Sequence, residues 1–241
     1  MDPITGWWQE MRRSSLQIVY GEGMTMRADA RRNQERLLAA ARDVIADRGP
    51  GVPLEDIARE AGLGIATLYR RFPDRTALLH AVVVDALTRT REAASQAAEE
   101  NDDTFEALAA YLRAALELRV SAVIPQVLDT LDLDEPTLAS AREASARAAE
   151  GLVDAAHASG GLPEDVTFLD IGMMLVRIAR PIPGPLPAEV KHDLGRRHLE
   201  LFLRGLRTTG RPLEGPALTR WEVADVVGGA EVPDPPGEAP P

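Results

Sequence analysis

The chain has 241 residues, of which 45% are hydrophobic and only 4% aromatic, so we expect a sizeable core built from aliphatic side chains. It contains no cysteine, no apolar run near the ~18 residues of a membrane span and no start typical of a signal peptide, which predicts a cytoplasmic protein without disulfides or thiol chemistry. The formal net charge of −11, taken alone, argues against a nucleic-acid partner.

The first third of the chain predicts four helices separated by glycine and proline. A stripe of apolar residues at helical spacing predicts a helix over residues 31–48, which Gly49-Pro50-Gly51 stops. Two short helices are expected at 54–60 and 65–72, and Pro73 ends the second because its ring disfavours the helical conformation at Phe72. Asp74 is a suitable N-cap for a fourth helix that reaches about residue 99.

Five more helices are expected beyond residue 100. The predicted segments are 104–122, a short piece at 125–131 set apart by Pro125, 134–159, 164–180 and 188–207. The segment 164–180 is apolar almost all round, which predicts burial on several sides. No segment has the alternating pattern of a strand hairpin, so the sequence predicts an all-α fold.

The charges are distributed unevenly along the chain. Residues 27–91 carry twelve arginines against nine acidic residues, a net charge of +3, whereas residues 92–241 carry a net charge of −13. This asymmetry predicts a small segment that faces phosphate, joined to a larger segment that does not.

The two short helices have the spacing of a helix-turn-helix. Ala58 is small enough for the helices to cross closely, and Gly62, four residues later, stands where the turn needs a positive φ. Leu68, six residues further on, is expected to point back into the small core, which leaves the second helix free to enter the major groove. An ordinary helical hairpin with a glycine turn is the alternative interpretation of these three positions.

The string Thr67-Leu-Tyr-Arg-Arg-Phe-Pro73, with Ile57-Ala58 and Gly49 before it, resembles the tetracycline-repressor (TetR) family of transcription regulators. The resemblance extends over about residues 31–80, and beyond them it covers only the number and order of helices. Two departures weaken polar contacts: Pro53-Leu54 stands where relatives often open the helix with Ser or Thr, and Gly64-Ile65 replaces a polar cap.

The resemblance implies a set of DNA-contacting residues in and just after the second short helix. They are Ile65, Ala66, Thr67, Tyr69, Arg70, Arg71 and Arg75. Thr67, Tyr69 and Arg75 are expected to contact phosphates, Ile65, Ala66 and Arg70 to read bases, and Arg71 to do either. Arg27, Arg31 and Arg32 form either a basic arm over the minor groove or an ordinary solvated helix start.

The resemblance also implies a C-terminal helical domain that binds a small effector and forms a homodimer through its last two long helices. Apolar stripes, aromatic residues and a few polar residues predict an adaptable effector pocket. The alternative is that the apolar and aromatic residues belong to an ordinary core and that the polar ones are solvated surface residues. The candidate lining residues are Phe105, Tyr111, Leu112, Leu116, Arg119, Gln126, Phe168, Met173, Met174 and Arg177. The four histidines lack metal-site spacing, so we expect no metal and no cofactor.

Taken together, the sequence predicts an N-terminal three-helix helix-turn-helix head and a C-terminal ligand-binding and dimerisation domain. The expected parts are a disordered leader (1–26), the DNA-binding domain (27–80), the effector and dimerisation domain (81–209) and a Pro-rich disordered tail (210–241). We expect a repressor, not an enzyme, that binds a palindromic operator in double-stranded DNA as a homodimer and is released by a small molecule. The alternatives are a helical enzyme or an architectural DNA-binding protein without an effector.

Overall fold

The computed structural model describes residues 30–180, 182–207 and 213–215, and within these ranges the chain forms helices and turns but no strand. The helices are α1 (30–48), α2 (Leu54–Glu60), α3 (Ile65–Arg71), α4 (Arg75–Glu100), α5 (Thr104–Glu117), α6 (Val120–Val127), α7 (Pro136–Ala158), α8 (Phe168–Ala179) and α9 (Ala188–Leu206). The predicted all-α class is therefore confirmed. None of these described helices is long and apolar enough to cross a membrane.

Contacts divide the chain into two compact units, Met1–Leu78 and Leu79–Pro241. The division lies two residues before the boundary that we expected from the sequence. The predicted leader at 1–26 lies outside the described residues, as does the predicted tail apart from residues 213–215.

The first unit has a core of aliphatic side chains on α1, α2 and α3. Its buried residues include Leu37, Leu38, Ala41, Val44, Ile45, Leu54, Ile57, Ala58, Leu68 and Phe72. The stripe predicted on α1 is therefore the buried face of that helix. Phe72 has φ −128° and ψ 104°, so α3 ends at Arg71, as expected before a proline. The Asp74 carboxylate accepts the N–H of Ala77 at 2.8 Å and opens α4.

The predicted helix over 104–122 is wrong, because the chain breaks at Arg119 and not at Pro125. Arg119 has φ +55°, and its N–H donates to the carbonyl of Leu116 at 3.0 Å, which closes α5. Pro125 lies inside α6. It lacks the N–H of a helical residue, but α6 ends two residues later and continues as a 3-10 turn, Leu128–Thr130.

The prediction for 164–180 is also wrong in its start and in its burial. The helix α8 begins at Phe168, because the Thr167 hydroxyl accepts the N–H of Asp170 and the Asp170 carboxylate accepts that of Thr167. Within the described chain only Ile171 and Leu175 of α8 are buried. Met173 is 45% exposed, so this apolar helix leaves one face uncovered.

The second unit is organised around α5, which packs against α6, α7, α8 and α9. Its buried side chains belong mainly to α5, α7, α8 and α9, and they include Phe105, Leu108, Leu112, Leu152, Val153, Ile171, Leu175, Leu199 and Leu203. Almost all are aliphatic, as the composition predicts.

Ion pairs of alternating sign join the outer faces of α5 and α9. Glu106 pairs with Arg207, Arg113 with Glu200 at 2.6 Å, and Glu117 with Arg196 at 2.7 Å. The Arg113 guanidinium lowers the pKa of Glu200, and Arg196 lowers that of Glu117. Exposed pairs of this kind contribute only ~0–1 kcal/mol each. The alternation of signs does, however, favour one antiparallel register of α9 along α5.

Glu135 joins two elements of the second unit at one carboxylate. Its Oε2 atom accepts the N–H of Leu138 at 2.8 Å, which caps α7, and lies 2.8 Å from Nε2 of His80 on α4. The Leu138 N–H and then the His80 ring lower the pKa of Glu135 to about 2.

We therefore expect Glu135 to contribute to the stability of the folded protein at neutral pH. Because its folded pKa lies below the ordinary value of 4.5, this contribution is present above about pH 4.5 and is lost as the pH falls toward 2. In urea unfolding, the free energy of unfolding of Glu135→Gln should fall less over this range than that of the unchanged protein. The exposed Glu60→Gln is the control, and an equal effect of both substitutions would contradict the assignment.

Candidate nucleic-acid interface

The turn between α2 and α3 is built by backbone hydrogen bonds around Gly62. The N–H of Leu63 donates to the carbonyl of Ala58 at 2.9 Å, and the N–H of Gly62 donates to that of Arg59 at 3.0 Å. This pair of bonds is a Schellman motif, which requires the left-handed conformation at its glycine, and Gly62 has φ +65°. The turn therefore satisfies the last carbonyls of α2 and sets the direction of α3.

The helix α3 is anchored by one side chain and leaves the rest of its surface accessible. Of its seven residues, all described, only Leu68 is buried, and it is fully enclosed. Ala66, Tyr69, Arg70 and Arg71 are exposed, and Tyr69 keeps 48% of its surface accessible. A short helix held from below by one leucine is suited to lie in the major groove of DNA.

Two arginines of α3 are bonded to neutral groups. Nη2 of Arg70 donates to the Thr67 hydroxyl at 3.1 Å, and Nε of Arg71 donates to Oε1 of Gln34 at 2.9 Å, with a second bond from Nη2. Neither of these bonds neutralises the guanidinium. Arg71 thus ties α3 to α1, while Arg70 stays on the exposed surface.

Other arginines of this unit are paired with carboxylates. Arg48 and Arg59 both donate to Asp56, which lowers the pKa of that carboxyl group, and Arg31 pairs with Glu35 at 3.0 Å. The positive charge near the turn is therefore partly compensated, in contrast to that of α3.

Arg75 is held against the turn that follows α1. Its Nη1 atom donates to the carbonyl of Pro50 at 2.6 Å. A guanidinium has five N–H donors, so this bond positions the side chain while other donors remain for a further acceptor. Neither this tie nor that of Arg71 to Gln34 has a signal in the sequence, since the partners are 25 and 37 residues apart.

The departures noted in the sequence correspond to missing side-chain caps. Pro53 precedes α2 and Gly64 precedes α3, and neither N-cap makes a side-chain hydrogen bond to its described helix. No hydroxyl is therefore presented to a phosphate at these two positions.

A groove of about 360 Å³ lies between α1 and α3. It is lined by Ala30, Asn33, Gln34, Leu37, Thr67, Arg70 and Arg71. The groove thus places amide, hydroxyl and guanidinium groups together beside the exposed face of α3.

The second unit contains a cavity of about 90 Å³ at the meeting point of α4, α5, α6, α7 and α8. Its lining consists of Thr90, Leu108, Tyr111, Leu112, Ala115, Val120, Ser121, Ala149, Val153, Phe168, Ile171, Gly172 and Leu175. Tyr111, Leu112 and Phe168 are the members that the sequence singled out.

The other candidate pocket residues lie elsewhere. Phe105 and Leu116 are core residues outside this lining, and Arg207 stacks over the Phe105 ring at 4.5 Å. The exposed candidates are Met173, Met174, Arg177 and Gln126, while Arg119 forms the turn before α6.

The sequence analysis did not single out other lining residues, among them Thr90, Ser121 and Gly172. Residues that meet from different helices share no period in the sequence, so periodicity could not identify them.

A short helix presented by a glycine turn, anchored by one leucine and carrying two arginines, defines a helix-turn-helix DNA-binding protein. The family model for bacterial regulatory proteins of the tetR family matches residues 37–82, which cover most of this unit. A comparison with curated proteins finds no match.

Solved structures extend the likeness to both units. The TetR transcription regulatory protein from Mycobacterium vanbaalenii is 30% identical, with a TM-score of 0.54 over 76% of this chain and 99% of that chain. The TetR regulator SCO0520 from Streptomyces coelicolor is also 30% identical, with a TM-score of 0.53 over 73% and 99%. The regulator PfmR from Thermus thermophilus, at 21% identity and a TM-score of 0.50 over 72% and 100%, shares the fold. The chain belongs to the TetR family of DNA-binding transcriptional regulators.

We expect Gly62→Ala to lower the free energy of unfolding by about 1–2 kcal/mol, because a Cβ is strained in the left-handed region. The new Cβ would also lie 2.6 Å from Nη2 of Arg36, which must move. Gly51→Ala is the matched control, since its φ is not positive and its Cβ would meet no atom within 4 Å. Urea unfolding followed by circular dichroism measures both, and equal stabilities would contradict the role given to Gly62.

Proposed function

We propose that this regulator is a repressor that binds a palindromic operator as a homodimer and leaves it when a small molecule occupies the second unit. The observation that carries the proposal is the presentation of α3, which buries only Leu68 and exposes Ala66, Tyr69, Arg70 and Arg71. Its two arginines bond to neutral partners, so their charge remains available to DNA.

The roles of the side chains follow from their positions. Arg70, on the exposed face of α3, is suited to bind guanine with both ends of its guanidinium, whereas Ile65 and Ala66 offer apolar contacts to a thymine methyl. Thr67, Tyr69 and Arg75 are proposed to contact phosphates. The N-terminus of α4, capped by Asp74, adds backbone N–H groups and a partial positive charge for the same purpose. We assign Arg71 to the positioning of α3, through Gln34.

Replacement of Arg70 and Arg75 by alanine should have different effects on operator binding. Arg70→Ala should reduce the free energy of operator binding by ~1–3 kcal/mol and relax the preference at one base pair, because that contact reads a base. Arg75→Ala should weaken the binding of all DNA sequences alike, because phosphates carry no sequence information. The measurement is fluorescence anisotropy on DNA from upstream of the gene and on single-base variants, with circular dichroism as the check of folding.

The result that would contradict these roles is a loss of specificity in Arg75→Ala with none in Arg70→Ala. A random-sequence competitor that displaces the operator equally well would instead favour an architectural DNA-binding protein. Failure to bind any upstream DNA would count against the operator proposal itself.

The homodimer is supported by an apolar stripe on α9 that the described chain leaves uncovered. Val190 and Leu201 are 42% and 56% exposed, and Leu194, half-buried, lies between them at helical spacing. Gly205 continues the stripe, and a Cβ there would meet no atom within 4 Å. The exposed Met173 adds apolar surface on α8. One short recognition helix reads few bases, and twofold symmetry doubles the site.

A charge placed in this stripe should therefore weaken the dimer. We expect the unchanged protein to sediment as a dimer at micromolar concentration and Leu201→Glu to shift toward the monomer, because the glutamate would be buried unpaired. Leu213→Glu, at a residue that is 62% exposed outside the helices, is the control and should remain dimeric. A monomeric unchanged protein, or a dimer unaffected by Leu201→Glu, would contradict the proposal.

Release by an effector requires that the ligand favour the conformation that does not bind DNA. A ligand with equal affinity for both states shifts nothing, however tightly it binds. Binders that raise the melting temperature but leave operator affinity unchanged at saturation are therefore not effectors. The cavity of the second unit is the proposed effector site. Its lining includes Tyr111, Leu112 and Phe168, which are also candidate pocket residues from the sequence.

A further inference from the structure

The wall of the cavity in the second unit carries no charged side chain among its described residues. Its polar side chains are Thr90, Tyr111 and Ser121, and its other members are aliphatic residues, Phe168 and Gly172. A buried charge without a partner is strongly disfavoured. The chemistry of the wall therefore discriminates against carboxylates, phosphates and ammonium groups.

Tyr111 and Thr90 are two of the three residues with a hydroxyl group in this wall, and they differ in their hydrogen bonds. The Thr90 hydroxyl is buried and already donates to the carbonyl of Ala86 at 2.7 Å. The Tyr111 hydroxyl has no hydrogen bond to any residue in the described part of the chain. Burial raises the pKa of Tyr111 to about 12, so the group stays protonated at neutral pH and keeps a hydrogen to donate.

We propose that this cavity binds an uncharged, largely apolar molecule with one hydrogen-bond acceptor, to which the Tyr111 hydroxyl donates. The assignment rests on the proposed function only in naming this ligand as the effector. It replaces Arg119, Gln126 and Arg177, the polar anchors that the sequence suggested, by a neutral donor. A carbonyl or ether oxygen on an apolar frame fits this chemistry, whereas an anion does not.

Gly172 offers a way to close the cavity without disturbing the fold. It lies inside α8 and lines the cavity, and a Cβ added there would meet no atom within 4 Å. A glycine inside a helix costs about 1 kcal/mol relative to alanine, so a larger residue at this position does not weaken α8. We use Gly172→Val as the variant that fills the space.

The size of the cavity determines the probes. A cavity of about 150 Å³ holds benzene, so about 90 Å³ suits a molecule of three or four heavy atoms. A larger ligand of the same chemistry must displace Phe168 or Tyr111, which are only partly buried. Acetone and acetate match each other in size and differ in charge, and xenon supplies an apolar probe without an acceptor.

The test is a titration of the full-length protein with acetone, acetate and xenon, followed by methyl NMR shifts of the residues lining the cavity. We expect acetone and xenon to bind, and acetate to bind at least tenfold more weakly than acetone. Tyr111→Phe should weaken the binding of acetone about three- to tenfold, which corresponds to the loss of one hydrogen bond, and should leave the binding of xenon unchanged. Gly172→Val should abolish the binding of both.

Three results would overturn the inference: acetate binding as tightly as acetone, Tyr111→Phe leaving acetone unchanged, or neither acetone nor xenon entering the cavity. A thermal melt of each variant separates loss of binding from loss of fold. Operator affinity, measured separately without probe, reports on the proposed function. If acetone and xenon bind as expected but the protein does not bind its upstream DNA, the proposed repressor function is refuted and the proposed cavity chemistry is not.

Discussion

The DNA-binding unit depends on holding α3 in place while leaving its surface free. A helix of seven residues is not stable in water by itself, because too few hydrogen bonds offset the cost of its first turn. In this protein α3 is stabilised by its buried side and by the turns at both of its ends. Leu68 is enclosed by the core, the Schellman turn at Gly62 sets the entry, and the extended Phe72 before Pro73 ends the helix.

The arginines in and just after α3 differ in how firmly they are held by the rest of this unit. Arg71 is bonded to Gln34 and Arg75 to the Pro50 carbonyl, so both are oriented before any DNA arrives. A side chain oriented in advance loses less conformational entropy on binding than a mobile one. Arg70, bonded only to the hydroxyl of its own helix among the contacts described, is the arginine best placed to adapt to a base.

The second unit lies in a strongly acidic part of the chain, yet the described wall of its cavity carries no charged side chain. The acidic and basic residues of α5 and α9 pair on the outer faces of the two helices. The inner faces of both helices are apolar, and that of α5 also lines the cavity. Among the described residues of its wall, the polar side chains are the hydroxyl-bearing Thr90, Tyr111 and Ser121.

Local signals in the sequence were sufficient to predict the helices and turns of the DNA-binding unit. The stripe on α1, Gly62, Leu68, Pro73 and Asp74 each act through steric limits or hydrogen bonds within a few residues, and the structure places helices and turns where they indicate. The Thr167 and Asp170 pair carries a similar signal for the start of α8, which the prediction of a helix from residue 164 did not use.

The sequence by itself therefore determined the all-α class and the helix-turn-helix. Only the tertiary structure decided the left-handed break at Arg119, the uncovered face of α8, the ties from Gln34 and Pro50, and the wall of the cavity. The reason is physical. A turn or a cap is a contact between near neighbours, whose spacing is visible in the sequence. The cavity and the ties join residues from different helices, and helix packing alone brings them together.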